Sequence, residues 1–437
     1  MGDVAGSQRV TERLRRGLVV VVFTWLALTL AWLAVSFVLG ARIELALDER
    51  HTQRVQAQAI DLLKLDHQAG VFVSTGQAEL RLGGGCSARI AGYAPRVAVD
   101  YRIEHSPSLD SLLRISWRAR PLAWFGSDVQ ELVGDEPLIV GRAVVDYHGV
   151  IDARVQLPAR ERRTRVGAWA IAPAQARLHS APHDVQFSLQ LPSLRIETAS
   201  GRTQLSQVVL HGKLHPGSQR EGKTWLSIAS LEQGVTHVRG VTVSTRSTTT
   251  ADSVNLALAM SASATNALEG VPLTDLALTA HVAGLDADSF ERVLQMASER
   301  CGAFAAGAAV GVRWRAAMHE LTRGGVAASL DHVTAHAHDG FAHGRLTLEL
   351  PAREPTAGGP WLRNLQGVAE LDVSSATLCE RIRSSRALHG FFGERTHGLG
   401  ASAAFAHGAM QINGRSWNPW LVDLTLGMLE NALSEAR

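Results

Sequence analysis

Hydrophobic positions along this chain follow three successive patterns. From Gly17 to Ala41 they are unbroken: GLVVVVFTWLALTLAWLAVSFVLGA has no charge and no proline. At about 1.5 Å per residue that run is long enough to cross a bilayer's hydrocarbon core. From Arg42 the apolar residues Ile43, Leu47, Val55, Ala59 and Leu62 fall at helical spacing, which predicts a helical stalk over 42–66. From Gly70 the period drops to two. GVFVSTGQAELRL alternates as a strand, a glycine-rich turn follows at 83–85, and Val97–His105 alternates again.

Strands then dominate. The alternation predicts Leu138–Tyr147 with Val150–Leu157, then Val185–Glu197, Thr203–Leu214, Thr224–Leu231, Val235–Thr245, Val254–Ala262 and Leu276–Ala283. His148-Gly149, Gln233-Gly234 and Asp339-Gly340 are turn signals, because glycine supplies the positive φ of a tight hairpin loop. Further hairpin strands are predicted at Val326–His338 with Phe341–Leu350, at Leu365–Val373 and around His407-Gly408. Helical spacing returns near 286–301, 307–321 and 375–388, and again near 419–435, where Asn418 caps and Trp420, Leu421, Leu424, Met428 and Leu429 form a stripe. The predicted class is mainly β, of the α+β kind: a transmembrane helix and stalk, then a large curved antiparallel sheet over 67–437 with a few accessory helices.

Charge gives the apolar run a direction. Arg9, Arg13, Arg15 and Arg16 precede it, whereas Arg42, Glu44, Asp48, Glu49 and Arg50 follow. The positive-inside rule makes 1–16 a cytoplasmic basic leader, 17–41 a signal anchor, and the rest a periplasmic domain on a bacterial inner membrane. A cleaved signal peptide is the rival reading, but its apolar region is usually only about 7–15 residues long. Over the whole chain of 437 residues, 46% are hydrophobic and the net charge is +2. That suits a folded domain and gives no footprint for nucleic acid.

Candidate chemistry is sparse. Cys86, Cys301 and Cys379 are far apart in the chain and form no C-x-x-C pair, so one disulfide with one free thiol, or three unpaired cysteines, are both open. Histidine stands out, with 18 copies. If Asp339-Gly340 forms the loop, His336 pairs across from His343, and His332 and His338 share that polar face, giving a possible zinc, copper or nickel set. The bland alternative is a chance cluster on a wet face. There is no G-x-S-x-G, S-x-x-K, H-E-x-x-H, P-loop or dinucleotide fingerprint, so no catalytic residue is assigned and no cofactor is expected.

Four landmarks in order carry a family resemblance: Gly70-Val71-Phe72-Val73-Ser74, His105-Ser106-Pro107, Gly284-Leu285-Asp286 and Ile412-Asn413-Gly414-Arg415. With the anchor before them they resemble the YdgA-like bacterial family of unknown function, whose members pattern as R-G-x-F-x-S, H-G-P, N-L-D and N-G-K. Ala69, Ser106 and Gly284 depart from that pattern. The resemblance implies an inner-membrane anchor and a periplasm-facing domain, and it carries over no site. The expected function is a non-enzymatic envelope binding or scaffold protein, held at the inner membrane through 17–41, with a lipid or an envelope protein as partner. A lipid-handling or transport-accessory protein with a hydrophobic groove is the first alternative, and a metal-dependent enzyme on the His332–His343 hairpin the second.

Overall fold

Alternating stretches of this kind pair with whatever strand comes next, and the chain does so almost throughout. The computed structural model describes residues 60–416 except 71, 83–95, 106–107, 109, 124–136, 138, 166, 199–200, 216–217, 251, 269–270, 294–315, 353–363, 386–390 and 407–408. Strands β1 (Ile60–Gln68), β2 (Val73–Leu82), β3 (Arg96–Glu104), β4 (Leu113–Ala123), β5 (Ile139–Val145) and β6 (Ile151–Leu157) pair antiparallel in that order. Proline cannot donate to a ladder, and Pro158 and Pro173 split the next hairpin in two. As a result β6 pairs β9 (Ala174–Ala181), while β7 (Arg160–Arg163) pairs β8 (Gly167–Ile171).

Six long strands follow: β10 (Asp184–Thr198), β11 (Gly201–His215), β12 (Ser218–Gln233), β13 (Thr236–Thr250), β14 (Ser253–Leu268) and β15 (Val271–Asp286). Each has 15 or 16 residues, which makes the sheet about 50 Å tall at about 3.4 Å per residue. β16 (Val326–Ala337), β17 (Gly340–Leu350) and β18 (Gln366–Val373) extend it. β20 (Gly398–Ala406) comes next, with β19 (Gly393–Arg395) and β21 (Ala409–Ile412) on its far side and β22 (Arg415–Ser416) last. All the described strands belong to one antiparallel sheet.

The spacing of apolar residues in the long strands contains a regular exception. It steps by two and then once by three: Leu191 to Leu194 on β10, Leu205 to Val208 on β11, Ile228 to Leu231 on β12, Val238 to Val241 on β13 and Leu273 to Leu276 on β15. By register Pro192, Gln207, Ala229 and Gly240, the residues inside the first four steps, fall opposite one another. Gln207, Gly240 and Asp275 have φ of 50°, 59° and 48°. A step of three would normally throw the following side chains to the other face. On β11, β13 and β15 the residue at positive φ turns the strand as a bulge does, which keeps the apolar side chains on either side of it on one face. Because β10 to β13 each take the same extra residue in the same row, their pairing continues across it without a register shift on β10–β11 or β12–β13. The result is a crease across the sheet.

Helix is a minor component, and the predicted class is corrected accordingly. The described chain is one antiparallel sheet with short helical pieces, rather than an α+β arrangement with a membrane helix and helical stalk. Among the described residues no helix is long and apolar enough to cross a membrane. The predicted stalk, 42–66, ends in strand, since Ile60–Asp66 lie in β1. The step of three from Leu62 to Leu65 imitates a helical turn, but the register against β2 shifts between Leu62 and Lys64, so it is a bulge. Residues 1–59, with the predicted anchor, lie outside the described residues, as do 419–435.

Helical residues occupy 287–293 and 316–321, and α1 spans Ala376–Ser384 behind the capping hydroxyl of Ser375. Two small cores form at the strand ends. Val254, Leu285, Ala287 and Leu321 make one, with Phe290, Val293 and Met318 packed on it. Val271, Leu273, Val373, Leu378, Cys379 and Leu399 make the other, under α1. Cys379 is a buried free thiol; Cys86 and Cys301 lie outside the described residues.

Candidate binding faces

The histidine hairpin takes a different register from the one its turn signal predicts. His338 and Asp339 form the loop, so Ala337 faces Gly340, His336 faces Phe341, and His343 faces Thr334. The reason lies in Asp339, whose carboxylate serves α1. It accepts hydrogen bonds from the Ser375 hydroxyl, the Thr377 N–H at 2.8 Å and the Thr377 hydroxyl at 2.9 Å. Those bonds, the Ser375 hydroxyl first, hold the Asp339 carboxyl well below the usual carboxylate range.

The rings of His332 and His343 sit 6.4 Å apart by centroid. His336 turns to Phe341 and lies 4.0 Å from Asp275, and His338 stands at the loop 3.9 Å from Asp339. Among the described residues no three histidine, cysteine or acidic side chains come together closely enough to hold a metal ion. His336, His338 and His343 are therefore spread along the hairpin rather than converged.

The four sequence landmarks turn out to be joints of the sheet. Ser74 Oγ lies 3.1 Å from His105 Nε2, and both residues are completely buried. Spacing alone does not reveal this contact, because the two stand 31 residues apart; pairing of β2 with β3 brings them together. Asp286 accepts the N–H of Ser289 at 2.8 Å and so caps the helical residues 287–293. Asn413, with φ of 50°, accepts the Ser402 N–H at 2.8 Å and donates to the Phe391 carbonyl at 3.0 Å.

The apolar face is the first candidate surface. Leu189, Leu210, Leu226, Val243, Met260, Leu278 and Val333 are successive cross-strand partners, one per strand from β10 to β16. Six strand intervals of about 4.8 Å make that row about 29 Å long. From β10 to β13 no described hydrophobic side chain is buried, and Met260 on β14 is 42% exposed. The two cores cover the strand ends only.

The opposite face is polar and holds a cavity of about 1110 Å³. Arg142, Arg154 and Arg177 are direct partners across β5, β6 and β9, and Lys213, Lys223 and Arg246 across β11, β12 and β13. Like charges placed directly opposite repel. Lys213 is held by Asp184 at 3.0 Å, and the Asp184 carboxyl is lowered by hydrogen bonds from Gln186 and then from Lys213. Between the two ladders, Trp225 lies 40% exposed with the His211 ring stacked on it at 5.8 Å.

No protein of curated function and no solved structure matches the chain. A family described as a bacterial protein of unknown function (DUF945) matches residues 17–391. That span takes in the apolar run and all the strands as far as β18, together with three of the four landmarks. The chain belongs to this bacterial family, DUF945.

Proposed function

We propose that the protein is a non-enzymatic binding protein of the bacterial envelope, and that it carries a lipid by its acyl chains along the apolar face of the sheet. The carrying observation is the row from Leu189 to Val333, in which β10 to β13 contain no buried hydrophobic side chain. A sheet ordinarily buries its apolar face against a second layer. A stripe about 29 Å long, reckoned from the strand spacing, exceeds the roughly 15 Å that an acyl chain spans in one leaflet of a 30 Å hydrocarbon core. An extended apolar chain therefore fits it better than a compact ligand does. The order of the four landmarks supports a place among YdgA-like members. The apolar run 17–41 and its arginine-rich leader support a position at the inner membrane with the sheet on the periplasmic side.

The test uses full-length protein in living cells fed a diazirine-bearing fatty acid. After irradiation, cross-linked peptides from β10–β15 are expected, and the paired change Leu226→Glu with Val243→Glu is expected to remove most of them while the melting temperature stays within a few degrees. Cross-links confined to 17–41, or to a co-purified protein seated on those strands, would sink the lipid reading; the second outcome would leave a scaffold.

A further inference from the structure

A second ligand surface lies on the other side of the sheet, and the acyl-chain reading makes no use of it. The cavity of about 1110 Å³ is lined by five lysine and arginine side chains, Arg154, Arg177, Lys213, Lys223 and Arg246, against one carboxylate, Asp152. Asp152 is itself taken by His179 at 2.7 Å. Among the described residues the side chains of Arg154, Arg177, Lys223 and Arg246 make no ion pair or hydrogen bond. The same holds for Arg142, which extends the arginine ladder by one strand. Whole-chain charge is nearly balanced, at +2, so this grouping is local.

Two features narrow the class of ligand. First, one row of direct partners crosses the cavity as Arg154, Arg177, Ser188, His211, Trp225 and Ser244. Cations therefore stand at one end of the row and a stacked aromatic platform at the other, with hydroxyls beside it. Second, the next row runs His179, Gln186, Lys213, Lys223 and Arg246, so amide and cationic groups flank the platform. Bidentate guanidinium groups suit phosphate oxygens. Serine and glutamine side chains around a single tryptophan suit a ring that carries hydroxyls. A nucleic acid strand would be expected to meet successive aromatic platforms, and the row offers one.

We propose that the polar face of β6–β13 binds a phosphorylated saccharide laid across the strands, with phosphate on the Arg154–Arg177 ladder and a sugar ring on Trp225. Lys223 and Arg246 take a second anionic group about four strand intervals away, on the order of 19 Å. The saccharide displaces water from a cationic row whose mutual repulsion is otherwise unrelieved. The site lies on the face opposite the Leu189–Val333 row, so it stands or falls independently of the lipid reading.

The test is fluorescence anisotropy with full-length protein in an uncharged polyoxyethylene detergent, which has no sugar headgroup to compete. The probe is a fluorescein-labelled maltohexaose carrying phosphate monoesters, read against the unphosphorylated hexaose, a twelve-nucleotide single strand and polyglutamate. Saturable binding of the phosphorylated probe is expected, weakening as salt rises. Exchanging Arg154→Gln and Arg177→Gln together is expected to weaken it by about tenfold or more. Trp225→Ala is expected to weaken the phosphorylated and plain hexaoses by a similar factor. Both variants alter exposed side chains, and an unchanged melting temperature checks that they fold. Leu226→Glu on the other face is expected to leave the affinity unchanged. Equal affinity of the wild-type protein and the double arginine variant would overturn the proposal, as would equal affinity for the plain hexaose. Tighter binding of the oligonucleotide or of polyglutamate would also overturn it, by assigning the face to a different polyanion.

Discussion

Single side chains in this molecule stabilise it at joints more than in a core. The buried contact of Ser74 with His105 ties the start of β2 to the residue after β3, and the N–H of His105 donates to the Phe72 carbonyl at 2.9 Å. Ser74→Ala removes one buried hydrogen bond, and a loss of about 1–3 kcal/mol is expected in urea unfolding. Asp339 contributes in a pH-dependent way. Its folded pKa lies below its unfolded value, so its stabilisation is fully present above the ordinary carboxylate range and is lost as pH falls through the folded value. Asp339→Asn should therefore melt at a lower temperature than the parent at pH 7, and the gap between the two should start to narrow as pH falls below the ordinary carboxylate range. The arginine ladder acts the other way. Arg154→Gln relieves repulsion from Arg142 and Arg177 and should stabilise the sheet by about 0.2–1 kcal/mol at low salt, fading as salt is added.

At the scale of elements the crease is the feature with most consequence. Gly240 sits in its row at φ of 59°, where an added Cβ would come within 2.5 Å of the Ser263 hydroxyl. Gly240→Val should cost about 1–3 kcal/mol, seen as a lower urea midpoint with an unchanged slope. The strands themselves are legible in the sequence, because Leu, Val and Ile alternate with polar residues and glycine marks many of the turns. The steps of three across Gln207, Ala229 and Gly240 are legible too, once they are known to share a row; without the register they look like separate irregularities. Two readings fail for the same reason. The helical spacing read from Ile43 to Leu62 runs into strand from Ile60, where Leu62 stands beside a bulge. The Asp339-Gly340 signal places the histidine loop wrongly, because the carboxylate of Asp339 is claimed by Thr377, 38 residues further on. Local pattern carries no information about a partner that distant.

Over the whole molecule, pattern tells which residues face together but not whether anything lies over them. Alternation puts Leu226 and Val243 on one face; only their half-exposed state in the folded sheet makes that face a candidate surface. The cationic ladders were equally hidden. Arg142, Arg154 and Arg177 are scattered in the sequence, and the ladder exists only through the pairing of β5, β6 and β9. Two faces of opposite character, one apolar and one cationic, make the sheet an amphiphile in its own right. The proposed lipid and saccharide sites separate experimentally because substitutions on one face leave the other's side chains in place.

The strand order has one more consequence. Apart from the split hairpin β6–β9 and the small strand β19, each strand's partner is the strand made just before it. Partners are therefore neighbours in chain order, and every strand has its template ready when it appears. A chain threaded through a narrow opening could set each strand against the growing edge as it emerged, with no need to wait for its C-terminal end. The order in which the residues are delivered is already the order in which they are built.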